Sequence, residues 1–87
     1  MNSKYHILIE RAAQKQLAKI PQNHQGRIID EIQSLASNPR PPLVKKLSGR
    51  TAWRIRVNQY RIIYEIHDDE LVILVIRIGH RKEVYRD

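Results

Sequence analysis

The chain has 87 residues, carries 16 Lys and Arg against 9 Asp and Glu, and has a formal net charge of +7. A single domain over residues 1–87 buries only about 60 to 65% of the surface its unfolded chain exposes, so the core must be compact. The chain has no Cys, which excludes a disulfide framework and a thiolate metal site, and no apolar run approaches the roughly 20 residues of a membrane span. The apolar run near the N-terminus is also too short for a signal-peptide core. These features lead to the expectation of a soluble cytoplasmic protein with no membrane association.

YHILIE, residues 5 to 10, reads as a first strand. Ala13, Leu17 and Ile20 recur at helical spacing until Pro21, and Ile28, Ile29, Ile32, Leu35 and Ala36 repeat the pattern until Asn38 and Pro39 stop it. Two amphipathic helices in a hairpin with one shared apolar side are therefore expected. NPRPPLVKKLSGR, with its crowded prolines, reads as an extended surface loop.

From Ala52 the period changes to two. AWRIRV puts Trp53, Ile55 and Val57 on one face and Arg54 and Arg56 on the other. YRIIYEIH puts Tyr60, Ile62, Tyr64 and Ile66 on the core side, with Arg61, Ile63, Glu65 and His67 opposite. Asp68 and Asp69 signal a turn, and ELVILVIRIG is a strand apolar on both faces, which predicts an interior place in the sheet. The order β-α-α-β-β-β gives an α+β fold: an antiparallel sheet with the N-terminal helical hairpin packed on its Trp53 face.

The charges are unevenly placed. No acidic residue lies between Glu31 and Glu65, whereas Arg40, Lys45, Lys46, Arg50, Arg54, Arg56 and Arg61 all do. An uncompensated basic stretch points to phosphates or to an acidic protein partner. If Asn58 and Gln59 alone form the hairpin turn, Arg56 faces Arg61, and like charges opposed across a ladder cost about 0.2 to 1 kcal/mol. The fold does not require that cost, so an anion bound among Arg54, Arg56 and Arg61 is the better explanation. A chain crossing back over the sheet after Gly79 would bring Arg81 and Tyr85 to the same face. Guanidiniums favour a phenolate, so a Tyr there could position or deprotonate a ribose 2′-OH, or stack on a base. The four His lack ligand spacing, and neither a metal nor a cofactor is expected.

KKLSG, then WRIRV, YRIIYEI and finally GHRKEVYR, over a chain of this length, resemble the RelE branch of the RelE/ParE toxin superfamily. The resemblance implies a RelE-like domain that is the toxin of a toxin-antitoxin pair. Its activity would be ribosome-dependent cleavage of mRNA in the A site, through 2′-OH attack giving a 2′,3′-cyclic phosphate. It also implies catalytic roles for Arg61, Arg81 and Tyr85, and substrate contacts for Arg54 and Arg56. Lys45 and Lys46 are expected to contact RNA, and His80, beside Arg81, is a further acid-base candidate because other branches use His. The best-known RelE toxin has lysines at the positions of Arg54 and Arg56, one of them implicated in moving a proton. An Arg keeps its proton, so that task would shift to Tyr85.

The expected partners are the ribosome with its mRNA and a cognate antitoxin. The antitoxin would carry an acidic or amphipathic segment, because Ile63, Leu74 and Ile76 share the arginine face and make it both basic and apolar. Operator DNA is expected only through the toxin-antitoxin complex. Two alternatives share these features: a ParE-like toxin that poisons DNA gyrase without catalysis, and a simple nucleic-acid-binding module.

Overall fold

A computed structural model describes residues 4–47 and 51–80. Strand β1 (His6–Ile9) is followed by helices α1 (Arg11–Ala18) and α2 (Gln22–Ser34), then by β2 (Lys45–Lys46), β3 (Ala52–Val57), β4 (Tyr60–His67) and β5 (Val72–His80). The five strands form one sheet in the order β1-β5-β4-β3-β2. The expected order of elements is present, and β5 lies inside the sheet, as its two apolar faces require.

The sheet departs from the sequence reading in two ways. It is mixed rather than wholly antiparallel, because β1 runs parallel to β5, with Ile7 opposite Ile73 and Ile9 opposite Val75. The two helices carry the chain from β1 across the sheet to the far edge at β2, and three antiparallel steps bring β5 back beside β1. In addition, Lys45 and Lys46, read as part of an extended loop, form a short edge strand against Arg54 and Trp53.

The helical hairpin closes tightly. The Gln25 side chain donates from Nε2 to the carbonyls of Leu17 (3.1 Å) and Ile20 (2.8 Å), which satisfies acceptors at the end of α1. Ala13, Ile20, Ile28, Ile32 and Leu35 then pack with Ile55, Val57, Ile62, Tyr64, Ile73, Val75 and Ile78 from one face of the sheet. Ile29 stays 37% exposed, because it follows Ile28 by about 100° of helical turn and leaves the shared stripe. No helix among the described residues is long and apolar enough to cross a membrane.

One buried phenol ties the proline-rich loop to this core. Tyr64 is fully buried and donates from its hydroxyl to the Pro39 carbonyl at 2.7 Å. Burial pushes its pKa from 10.0 up to about 12. Nearby, Arg40 places Nη2 2.9 Å from Asp68 Oδ2, and the Tyr5 hydroxyl donates to Asp68 Oδ1 at 2.6 Å. That cluster is exposed, so its ion pair contributes little to stability.

Tyr64→Phe removes the donor to the Pro39 carbonyl and should cost about 1 to 3 kcal/mol. Each kcal/mol should lower Tm by roughly 4 to 8 °C. The folded state favours the neutral phenol, so the stability it contributes is fully present below the ordinary tyrosine pKa of 10.0 and is lost as pH rises through about 12. Thermal melts of both proteins should show the wild-type advantage at neutral pH shrinking across that alkaline window. An advantage independent of pH there would rule out the buried phenol as its source.

Candidate nucleic-acid interface

A two-residue turn builds the site. Asn58 adopts a positive φ of 56°, which an Asn tolerates better than most residues, and Val57 pairs directly with Tyr60. Arg56 consequently stands opposite Arg61, Arg54 opposite Ile63, and Ala52 opposite Glu65. Since Ile55, Val57, Ile62 and Tyr64 point into the helix-side core, the alternate residues occupy the other face.

The ladders extend this face in both directions. Lys45 of β2 lies opposite Arg54, and Arg77 of β5 lies opposite Ile63. One row across the sheet therefore reads Lys45, Arg54, Ile63, Arg77, and the next reads Arg56, Arg61, Gly79. Neighbouring strands stand about 4.8 Å apart, so the two rows place five cationic side chains on a small area. Arg61 is only 3% exposed, Arg54 is half-buried and Arg56 is exposed. The hairpin thus combines one guanidinium fixed by packing with others that an approaching polyanion can meet.

Next to the cations the face turns apolar. Ala52 and Ile63 form a second small buried cluster with Leu47 and Ile76, and Leu8, 52% exposed, lies opposite Leu74. Glu65 follows in the same row as Leu74, and its Oε1 is 2.9 Å from His67 Nε2. From the hairpin tip the face therefore runs from basic, through aliphatic, to a Glu–His pair.

The remaining sequence candidates fall elsewhere. Lys46 is on the helix side, with its ammonium 5.8 Å from the Trp53 ring centroid, and the Arg40 guanidinium lies 5.2 Å from the same ring. Only Lys45 of the lysine pair shares the arginine face. His80 stands opposite Tyr60 in register, which puts it on the helix-side face, away from Arg56 and Arg61. Its ring meets Tyr60 edge-on at 5.9 Å, and its Nε2 is 3.2 Å from Gln59 Oε1. Arg50, Arg81 and Tyr85 lie outside the described residues.

Arg77 is the cation that strand alternation alone misses. A register shift between Ile63 and Tyr64 changes the parity along β5, so Arg77 faces the arginines while Val75 and Ile78 both face the core. The break shows in the burial of Val75 and Ile78, three positions apart, and not in the letters VIRIG themselves.

Guanidiniums hold their protons at physiological pH, so this array binds and stabilises negative charge without moving a proton itself. Among the described residues no three His, Asp or Glu gather to hold a metal ion.

Comparison with known proteins gives a consistent picture. The chain is 25% identical over 88 residues to the putative toxin RelE1 of Methanocaldococcus jannaschii, covering 97% of this chain and 98% of that one. It is 26% identical over 86 residues to toxin RelG of Mycobacterium tuberculosis, covering 94% and 97%. Among solved structures, the archaeal RelE-RelB complex from Pyrococcus horikoshii matches with a TM-score of 0.81 at 27% identity, over 90% of this chain and 96% of that one. The RelB-RelE antitoxin-toxin complex from Methanococcus jannaschii matches with a TM-score of 0.73 at 30% identity, over 91% and 95%. The sequence pattern of the ParE toxin of type II toxin-antitoxin systems, parDE, spans residues 7–85, and the chain therefore belongs to the RelE/ParE superfamily of toxins.

Proposed function

We propose that the protein is a ribosome-dependent endoribonuclease that cuts mRNA in the A site, with its cognate antitoxin as inhibitor. The observation that carries this reading is the gathering of Lys45, Arg54, Arg56, Arg61 and Arg77 on one face of the sheet, an array suited to a phosphate backbone. Arg61 stabilises the charge that builds on the pentavalent phosphorus, and Arg54, Arg56 and Lys45 hold the flanking backbone. Tyr85 takes the proton of the ribose 2′-OH. The 2′-oxygen then attacks phosphorus, the P–O5′ bond breaks, and Arg81 hydrogen-bonds to the departing 5′-oxygen. The departing 5′-oxygen takes a proton from water, and the products are a 2′,3′-cyclic phosphate and a 5′-OH end. No metal is required, because the arginines supply the charge stabilisation and Tyr85 accepts the proton.

The complexes with RelB-type antitoxins support an antitoxin partner for this chain too. The face that joins cations to Leu8, Leu74 and Ile76 fits an amphipathic segment with acidic residues, and operator DNA is reached only through the resulting complex. The matched ParE pattern favours a second reading, inhibition of DNA gyrase. Primer extension on programmed ribosomes and a supercoiling assay on gyrase, run with the same purified protein, separate the two.

Three outcomes are expected. Tyr85→Phe should slow cleavage on programmed ribosomes by about 10² to 10⁴ while ribosome binding is retained; a rate near wild type would leave Tyr85 no part in proton transfer. Arg56→Gln is the cleaner charge variant because Arg56 is exposed whereas Arg61 is packed. Relief of about 0.2 to 1 kcal/mol of repulsion should leave Tm unchanged or raise it by up to several degrees, while cleavage falls. A clear loss of Tm would show that the pair is structural. Hydrogen exchange with and without the antitoxin should show protection at residues 54 to 64 and 79 to 87. Protection confined to residues 10 to 37 would place inhibition on the helical side instead.

A further inference from the structure

A cavity of about 420 Å³ lies on the helix side of the sheet, at the same end as Arg56 and Arg61. Ile20, Pro21 and Ile78 give it apolar walls, while Gln16, Lys19 and Tyr60 supply its polar and aromatic groups, with His80 at the rim. Two imidazoles contact Tyr60. Its ring lies 5.4 Å from His24 at a tilt of 56° and 5.9 Å from His80 in an edge contact.

The polar groups are placed for a ligand with its own acceptors. Gln16 Oε1 accepts from the Ile78 backbone N–H at 2.7 Å, beyond the part of β5 that β1 covers. That bond fixes the carboxamide and leaves its Nε2 as the group that can donate to a ligand. Lys19 adds an exposed ammonium at the cavity. An aromatic platform, an oriented amide donor and a cation together match a nucleotide: base on the ring, base carbonyl to the amide, phosphate to the ammonium.

The location also fits. Tyr60 and Arg61 are consecutive on β4 and point to opposite faces, so a single strand rounding the Asn58–Gln59 tip passes from one to the other. We propose that this cavity is a subsite for a nucleotide flanking the scissile phosphate, with its base stacked on Tyr60 beside the edge-on His80 ring and its phosphate on Lys19. The inference rests on the ribonuclease reading for the strand's origin. His80 then acts by orienting the Tyr60 ring, which accounts for its place on the face opposite the arginines.

The test uses the full chain without antitoxin, ¹⁵N-labelled, and a five-nucleotide RNA blocked against cleavage by 2′-deoxy substitution. Titration should produce saturable shifts at Gln16, Lys19, Tyr60 and His80 as well as on β3. An abasic site at one flanking position should weaken binding to the wild type by about tenfold to a hundredfold. The same abasic RNA should lose almost nothing further against Tyr60→Leu, which keeps an apolar side chain, and Lys19→Glu, a surface change, should weaken the intact RNA. Shifts confined to the arginine face, or an equal abasic penalty in wild type and Tyr60→Leu, would overturn the subsite. Cleavage of ribosome-bound mRNA by the wild type is measured separately: saturable shifts at the cavity without cleavage would uphold the subsite and defeat the ribonuclease reading.

Discussion

The register of the β3–β4 hairpin governs the rest of the molecule. Side chains alternate across a strand, so a slip of one residue would carry Arg56 and Arg61 into the helix-side core and turn Ile55, Val57, Ile62 and Tyr64 outward. Burial of those four residues against Ile28, Ile32 and Leu35 makes such a slip prohibitive, and the two-residue turn at Asn58 and Gln59 leaves no slack to absorb it. The placement of Arg56 opposite Arg61 is thus enforced by hydrophobic burial on the other face. Even a like-charge pairing that costs up to about 1 kcal/mol is outweighed by burying a single large aliphatic side chain, at about 1.5 to 3 kcal/mol.

That division of labour explains why the basic face can be dense in charge without collapsing the fold. The helices contribute only to one side of the sheet, and every arginine of the hairpin is on the other. Arg61 sits between Arg56 on one strand and Gly79 on the next, and the lack of a side chain at Gly79 spares the row a further bulky neighbour. The face therefore combines a packed guanidinium at Arg61 with exposed cations at Arg56 and Lys45.

Much of this was legible in the sequence because it depends on local periodicity. The two helices follow from the apolar spacing of Ala13, Leu17 and Ile20 and of Ile28, Ile32 and Leu35, and the arginine face follows from strict alternation in AWRIRV and YRII. What escaped depends on tertiary pairing. The parallel partnership of β1 with β5 is set by the path of the chain to the far edge of the sheet and back, and β2 is a strand only because Lys45 and Lys46 find an edge of β3 to pair with. Arg77 and His80 were misjudged or missed for a shared reason: the irregularity opposite Ile63 and Tyr64 resets which face each later residue of β5 occupies. Adjacency to Arg81 in sequence therefore did not place His80 beside the arginines.

The tyrosines show how environment separates residues of one chemical type. Tyr64 is sealed in the core and its phenol is pushed up to about 12 by burial, so it remains a hydrogen-bond donor at any physiological pH. Tyr5 is held protonated too, chiefly by its hydrogen bond to the Asp68 carboxylate. Tyr60 faces the helix side, where its ring is engaged by His24 and His80. None of these three can deliver a phenolate to a phosphate bound at Arg56 and Arg61. Arginines stand where lysines could have exchanged a proton, and the function proposed above therefore assigns that step to Tyr85, outside the described residues. A phenolate is favoured by guanidiniums and disfavoured by a phosphate they bind, so the proposed proton transfer depends on positive charge in excess of the phosphate it serves.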